Sequence, residues 1–322
     1  AARYADTNGY NNDTPRYNWR YRDWLIQALN RNMAYDQFVT EQLAGDLLPE
    51  ATVDQQIASG FNRNHNVTSE GGIIDEEYRL EYVADRVHTT ATVFMALTIR
   101  CARCHDHKFD PISQREYYQF FAFFNQVPET GYHKEHVGNP NPVIKAATAR
   151  QKAELAAVAT ELVECERRLA DLATNLTEKE QTTDHEFLRL SELKKTISAK
   201  HKALDKMVPT AMVMRDMPKP RDTFVLQRGA YDKPTGKVWA DVPSVLPPFP
   251  TGAARTRLGF SQWLMSRNHP LTARVIVNRI WAEVFGRGLV TTLEDFGTQG
   301  ASPSHPELLD WLSGELIDSG WN

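Results

Sequence analysis

Apolar side chains recur at steps of three and four residues over much of the chain, a spacing typical of helices that bury one face. The longest such run covers residues 75–97, where apolar and aromatic positions keep the helical period throughout. Shorter runs predict helices over residues 19–29, 35–43 and 54–61. The pattern therefore predicts a mainly α-helical protein.

Residues 114–125 are predicted to form an unusually aromatic helix. Ser113 and Glu116 have the spacing of a capping box, in which each side chain bonds the backbone of the other at a helix start. The aromatic residues of this helix are Tyr117, Tyr118, Phe120, Phe121, Phe123 and Phe124. Such side chains most often form the core of a domain, and beside a cofactor they would also exclude water.

Residues 146–207 differ in composition from the rest of the chain. They are rich in Ala, Glu, Lys, Leu and Arg and contain neither Gly nor Pro, which favours long exposed helices. The Thr-rich stretch 174–184 predicts a turn. We therefore expect an antiparallel helical hairpin, inserted between two compact parts, whose charged surface is either simply solvated or an arm that binds a partner.

After the hairpin the pattern changes from helical to extended. Short apolar runs at 211–215 and 223–227 predict two strands, and residues 229–236 predict a turn. The proline-rich stretch 242–250 predicts a linker or an extended strap across the surface.

Helices return in the last part of the chain. Pro270 fits the first turn of one helix and Gly286 its end. Ser304 and Glu307 have the spacing of a second capping box, ahead of a helix over 307–318. The predicted segments are a helical region at 1–145, the helical hairpin at 146–207, and a small β element followed by a helical region at 208–322.

Composition narrows the possible partners. The 322 residues carry a net charge of −4, with 41% hydrophobic and 24% charged residues, which is ordinary for a globular protein. This balance gives no sign of a nucleic-acid partner. No apolar run approaches the length that spans a bilayer, so we expect no membrane span in this segment.

The stretch Cys101-Ala102-Arg103-Cys104-His105 carries the most specific chemistry in the sequence. Two thiols at this spacing add to the vinyl groups of one porphyrin, and the following histidine ligates the iron, as in covalently attached c-type haem. A structural zinc site would require a second Cys/His pair, and the remaining cysteine is the distant Cys165. Other metals and a redox dithiol remain alternatives. The leading prediction is haem c, anchored by Cys101 and Cys104 and ligated by His105.

The other haem contacts are less determined by sequence. His65 lies in a polar loop, and we predict it as the sixth iron ligand, with an open sixth position as the alternative. Arg63 and Arg103 would pair with the haem propionates, because guanidinium suits carboxylates, although solvated arginines are as common.

Two other sites can be formulated from the residue types. Oxygen and nitrogen ligands near the motif would suit a metal ion that activates water for hydrolysis, but this leaves the cysteines without a role. Those ligands are His105, Asp106, His107 and Asp110, with Asp75, Glu76 or Glu77. In the last segment, a cluster of polar residues would suit a carbohydrate or anionic substrate, or would bridge helices. That cluster contains Arg274, Asn278, Arg279, Trp281, Asp295 and His305.

Several longer stretches of the sequence resemble a known pair of domains. Arg86-Val87, Leu97-Thr98 and residues 101–111 resemble the cytochrome-like domain family of large secreted planctomycete proteins. The tail resembles the second domain that normally follows it, in the words at 270–275, 277–281, 285–290, 295–297 and 303–311. The resemblance implies a c-type haem and an extracytoplasmic, periplasmic or secreted, location. It supplies no established reaction, and both ends of the chain are expected to be cuts from a longer polypeptide.

The expected function is therefore haem binding, used in extracytoplasmic electron transfer or haem-based redox chemistry. An electron donor or acceptor protein would be the partner. The alternative expectation is a metal-dependent hydrolase or a carbohydrate-processing protein that uses a His/Asp metal site.

Overall fold

The computed structural model describes residues 3–322. About half of the residues are helical and about 6% lie in strands, which confirms the prediction of a mainly α protein. None of the helices in this described range combines the length and apolar character needed to cross a membrane.

The helices are α1 Trp19–Asn30, α2 Tyr35–Ala44, α3 Val53–Ala58, α4 Asp75–Thr90, α5 Gln114–Ala122, α6 Ala149–Ala173, α7 Glu178–Gln181, α8 His185–Lys206, α9 Arg257–Leu264, α10 Thr272–Phe285 and α11 Pro306–Asp318. The strands are β1 Val143–Lys145, β2 Thr210–Met212, β3 Thr223–Leu226 and β4 Pro234–Val238, paired as β1 with β2 and β3 with β4. The chain divides into two compact units, one of residues 3–144 with 211–322 and one of residues 145–210.

The aromatic helix α5 forms the centre of the larger unit. Its capping box is present as predicted, with Ser113 accepting from the backbone of Glu116 and Glu116 accepting in return. All six predicted aromatic residues are buried. Phe120 packs edge-to-face on Phe260 of α9, with ring centroids 5.0 Å apart, an arrangement that aromatic quadrupoles favour. The aromatic residues therefore form a core, as the commonest role of such a pattern predicts.

Helix α4 ends earlier than the apolar period of residues 75–97 predicts. Its last turn widens into a π-helical turn over Ala91–Met95, and Ala96 then takes a left-handed φ of 49°. Residues far along the chain form hydrogen bonds with the backbone at this helix end. Arg279 donates to the carbonyls of Thr92 and Val93, and the backbone N–H of Phe296 donates to the carbonyl of Ala96 at 2.7 Å. A sequence period cannot reveal such partners.

The two strands predicted after the hairpin are present as β2 and β3, and the structure adds β4. The antiparallel pair β3–β4 has Thr223 opposite Val238. The connection between them covers residues 227–233, and β4 begins at Pro234, within the stretch predicted as a turn. The exposed residues of β4 show no apolar alternation that would have predicted a strand. Strand β1 and helix α9 were not predicted. The prediction of a capping box at Ser304 and Glu307 is wrong. His305 is the N-cap of α11, and its side chain makes no capping hydrogen bond.

The smaller unit contains the predicted hairpin. Val158, Cys165, Leu190 and Ile197 form its buried core, and Cys165 Sγ lies 3.5 Å from the carbonyl oxygen of Leu190. Glu166 in α6 pairs with Lys194 in α8, and Arg168 in α6 pairs with Glu186 in α8. A higher residue number in α6 thus corresponds to a lower residue number in α8. The two long helices are therefore antiparallel, joined through the short α7.

Candidate functional site

The Cys-x-x-Cys-His stretch lies on an exposed turn. Residues Ile99–Arg103 form a 3₁₀ turn whose inner side is anchored by the buried Ala102. Cys101, Cys104 and His105 are all exposed, and both thiols are free. The structure therefore brings the three predicted anchoring side chains together on one accessible turn.

The ring of His105 is fixed in one orientation. Its Nδ1 lies 2.7 Å from the carbonyl oxygen of Asp106. A carbonyl only accepts, so Nδ1 must carry the proton, and the lone pair of the neutral ring lies on Nε2. Histidines that bind metals commonly donate their other ring N–H to a carbonyl in this way. His105 is therefore an exposed histidine whose neutral ring carries its lone pair on Nε2.

His107, two residues later, has the opposite arrangement. Its Nδ1 accepts the backbone N–H of Asp110 at 2.8 Å, so the proton of the neutral ring lies on Nε2. Asp110 is itself committed, because its carboxylate accepts both the N–H and the hydroxyl of Thr298, at 2.7 and 2.9 Å. At Gly297 a Cβ would lie 2.6 Å from that carboxylate, so only glycine permits this approach. The end of the motif is thus pinned to the C-terminal part of the chain.

The turn is held from its other side by α5 and the β3–β4 connection. Gln114 donates to the carbonyls of Arg103 and Leu226, both at 2.9 Å, and so bridges the two segments. A Cβ at Gly229, where φ is +74°, would lie 3.0 Å from the Sγ of Cys104. The close approach and the left-handed backbone both require glycine here.

Arg103 already has a carboxylate partner. Its guanidinium forms a two-pronged pair with Glu81 of α4, and this hydrogen bond raises the pKa of Arg103 above its ordinary value. The backbone carbonyl of Arg103 also accepts from the hydroxyl of Tyr118 at 3.1 Å. In this arrangement Arg103 fixes the turn to α4, and a propionate would have to compete with Glu81.

The structure places Arg63 and His65 away from solvent, in a buried polar cluster with Arg86 and Glu129. His65 is 2% exposed, with its Nδ1 donating to Asn66 at 2.8 Å and its Nε2 accepting from Arg86 at 2.8 Å. Arg86 forms a two-pronged pair with Glu129, and Arg63 lies 3.5 Å from the same carboxylate. Both ring nitrogens of His65 are thus in use, and a role as sixth iron ligand would require its Nε2 to leave Arg86.

Burial sets the charge state of this cluster. Burial first, and then the charge of Arg86, hold the pKa of His65 well below 6.5, so the ring is neutral. Burial lowers the pKa of Arg63 to about 10. Burial, the largest single effect, would raise the pKa of Glu129, but the charge and hydrogen bonds of Arg86 and the charges of Arg63 and Arg79 together outweigh it and leave that pKa below 4.5. The cluster is an internal ion-pair network of two guanidinium groups around one carboxylate.

The oxygen ligands of the alternative metal site are engaged elsewhere. The carboxylate of Asp106 accepts the N–H of Gln114 at 2.8 Å, and that of Asp75 accepts the N–H of Tyr132 at 2.9 Å. Across residues 3–322, no group of three or more His, Cys, Asp or Glu side chains has the arrangement of a metal site.

The polar residues of the last segment largely hold that segment together. Asn278 is fully buried, and its amide bonds both the N–H and the carbonyl of Val290, at 2.8 and 2.9 Å. Arg274 pairs with Asp310 at 2.6 Å, whereas His305 is exposed at the start of α11. A substrate site at Arg274, Asn278 and His305 stays a hypothesis, and the contacts of Asn278 match the alternative role of bridging structure.

Several residues beside the motif had no sequence signal. Glu81 and Gly229 contact the motif across long sequence separations, and the hydroxyl of Tyr117 lies 2.9 Å from His88 Nε2. Burial lowers the pKa of His88 to about 3, so this ring is neutral as well. A polar cleft of about 330 Å³ reaches Glu81 and His88, and His65 and Arg100 also line it. Contacts between single residues that lie far apart in sequence and belong to no repeating pattern cannot be predicted from the sequence.

Comparison with known proteins adds two family matches. Residues 1–129 match the model of PSCyt2, described as a protein of unknown function (DUF1549). Residues 256–322 match the model of PSD1, also described as a protein of unknown function (DUF1553). No curated protein and no solved structure matches the chain. Two stretches of the chain, one before the hairpin and one at the end, therefore match domains of unknown function that are typical of planctomycete-like proteins.

Proposed function

We propose that this protein binds a c-type haem, attached through Cys101 and Cys104 and ligated by His105. The observation that supports it best is the Nδ1 hydrogen bond from His105 to Asp106, which leaves Nε2 as the lone-pair nitrogen. Both thiols are free and exposed on the same turn, as addition to vinyl groups requires. The donor set and its accessibility fit the proposed group.

Different residues of the chain would anchor the haem, ligate its iron and support the turn that carries the motif. The two thiols would anchor the haem, and His105 would ligate its iron through Nε2. Tyr117 and Tyr118 pack edge-to-face beneath the motif, with centroids 5.1 Å apart, and close its inner side with aromatic surface. Gln114 and Glu81 hold the turn in place from α5 and α4. When bound, a c-type haem supplies one-electron redox chemistry or an iron site for a small molecule.

The proposal leaves His65 out of the iron site, because its Nε2 accepts from Arg86 in the buried cluster. It also leaves Arg63 out, since that guanidinium donates to the carbonyls of Pro140 and Asn141 at 3.2 and 3.0 Å. The sixth position would then be open or filled by another group.

Electron transfer or haem-based redox chemistry outside the cytoplasm is the proposed use. The exposed turn makes the site reachable by a donor or acceptor protein. The resemblance to a domain family of large secreted proteins supports this location.

The test is the alkaline pyridine spectrum of protein produced in a host with haem-attachment machinery. The wild-type protein should give the spectrum of a haem bound through two thioether bonds. The double variant Cys101→Ala, Cys104→Ala should give none, while Cys165→Ala should match the wild type, because Cys165 is buried in the hairpin core. Covalent haem retained by the double variant would overturn the proposed anchors.

A further inference from the structure

A second cleft in the larger unit lies outside the haem motif. Its volume is about 420 Å³, within the range of small-molecule sites. Its floor and walls come from α5, from the loop before β3, from β4 and from the start of α9. Apolar residues of this lining include Phe123, Met217, Val238 and Trp239.

Trp239 is the unusual member of this lining. Its side chain is 65% exposed, although tryptophan is normally well buried. Among residues 3–322 its indole N–H has no hydrogen-bond acceptor, and one cation, Lys237 Nζ, lies 5.9 Å from the ring centroid. Trp239 therefore offers the cleft a flat apolar face and a free donor.

Two ion pairs contribute residues to the cleft, and one of them includes the Lys237 that lies beside the Trp239 ring. Lys237 pairs with Asp222 at 2.7 Å, and Arg255 pairs with Asp241 at 2.6 Å. Arg255 also lies over the ring of Phe249, 5.2 Å from its centroid, which fixes its position. Each pair therefore places a hydrogen-bond donor and an acceptor next to each other near an aromatic ring, Trp239 for Lys237 and Phe249 for Arg255.

The remaining charges at the cleft are also neutralised or committed. Asp216 accepts from the buried Arg257 at 2.9 Å. Arg221 donates to the carbonyls of Asn125 and Val127, at 2.9 and 3.3 Å. Within residues 3–322, only Arg221 among the charged residues that line the cleft lacks an ion-pair partner, and an anionic ligand would have to compete with the two carbonyls that its guanidinium already bonds. A neutral ligand with hydroxyl groups fits better, since each hydroxyl both donates and accepts and can bond both members of an ion pair.

We propose that this cleft binds neutral carbohydrate, with one sugar ring stacked on Trp239 and its hydroxyl groups bonded to the Lys237–Asp222 and Arg255–Asp241 pairs. The apolar C–H face of a pyranose matches the indole, and its hydroxyl rim matches the paired charges. This site is independent of the proposed haem, and it differs from the substrate cluster predicted at Arg274, Asn278 and His305.

The test is affinity electrophoresis of the native chain in gels that contain hydroxyethylcellulose, xyloglucan or galactomannan. At least one of these neutral polysaccharides should retard the wild-type protein. Trp239→Ala should weaken binding at least about tenfold, since truncating a central aromatic anchor typically costs more than one factor of ten in affinity. Trp239→Phe should retain part of the retardation.

Trp311→Ala is the matched control, because Trp311 is 60% exposed but lies in α11. This variant should be retarded like the wild type, and thermal unfolding should show that the Trp239 variants remain folded. Absence of retardation in all three gels, or equal retardation of folded Trp239→Ala, would overturn the proposal. Trp239-dependent binding of a decaproline peptide in place of sugar would also overturn it, since aromatic clefts take extended proline helices.

Discussion

Arg86 donates to Nε2 of His65 at 2.8 Å while the same guanidinium forms a two-pronged pair with Glu129. The histidine that sequence reasoning placed over an iron is therefore an acceptor within a buried ion-pair network. Its neutral state follows from burial and from the adjacent positive charge. The network ties α4 to the loops that carry His65 and Glu129, so its main contribution is to stability.

Replacing His65 distinguishes this structural role from a ligand role. His65→Ala removes the acceptor of Arg86 and leaves a cavity, so we expect a loss of about 2–4 kcal/mol in the free energy of unfolding. The visible spectrum of haem-loaded protein should not change. Urea unfolding and ferric absorption spectra check both points, with the exposed His185→Ala as control. A shift towards a high-spin spectrum with unaltered stability would instead identify His65 as the sixth ligand.

Removing the carboxylate of the cluster should be more damaging. Glu129→Gln leaves the buried charges of Arg63 and Arg86 without their counter-ion, which typically costs about 3–5 kcal/mol. The free energy of unfolding in urea measures the loss. Glu135→Gln is the control, because the side chain of Glu135 is 70% exposed and should matter little. Equal stability of the two variants would contradict the described network.

Stability should fall below about pH 6.5. Burial lowers the pKa of His65 well below 6.5, that of His88 to about 3 and that of His269 to about 4. Above pH 6.5 these rings are neutral in both states, so their contribution is complete. As the pH falls below 6.5, the unfolded chain binds protons that the folded chain excludes, and stability is lost towards the folded pKa values.

Each such histidine should cost about 1.4 kcal/mol of stability in total between about pH 7.5 and about pH 5.5, because the slope approaches about 1.4 kcal/mol per pH unit only below about pH 6.5. Urea midpoints at about pH 7.5 and about pH 5.5 measure it. His269→Gln should reduce the slope, and His305→Gln, which changes an exposed ring, should leave it as in the wild type. Stability that is flat over this interval would mean that the buried rings accept protons in the folded state.

The glycine beside Cys104 provides a test of the packing at the motif. Gly229→Ala introduces a Cβ 3.0 Å from Cys104 Sγ at a φ of +74°, a strain of about 1–3 kcal/mol. We expect lower stability and a smaller fraction of protein with covalent haem. Gly236→Ala is the control, since its nearest new contact is Arg115 at 3.9 Å. Similar haem fractions in the two variants would show that the connection near Gly229 does not affect the site.

Local patterns predicted much of the fold. The capping box at Ser113, the aromatic core helix α5 and the end of α10 at Gly286, where φ is 77°, follow from signals within a few residues of each other. The antiparallel hairpin follows from composition and period. The extent of α4 could not be predicted in the same way, because Arg279, far along the chain, holds the carbonyls at its end.

The candidate site was predictable only in part. Cys101, Cys104 and His105 belong to one short sequence motif, and in the structure all three lie exposed on the same turn. The environment of His65 depends on Arg86 and Glu129, which are distant in sequence and belong to no motif. A polar loop normally predicts exposure, and here three charged side chains meet beneath it. The supporting contacts of Glu81, Gly229 and Thr298 are likewise tertiary.

The most direct test of the central claim is the intact mass of the acid-unfolded protein after production with haem-attachment machinery. Extraction removes haem that is only bound non-covalently, so the remaining mass reports thioether bonds at Cys101 and Cys104. The account predicts an added mass of one haem per chain, together with a visible absorption band. A colourless protein at the mass of the bare polypeptide would contradict it.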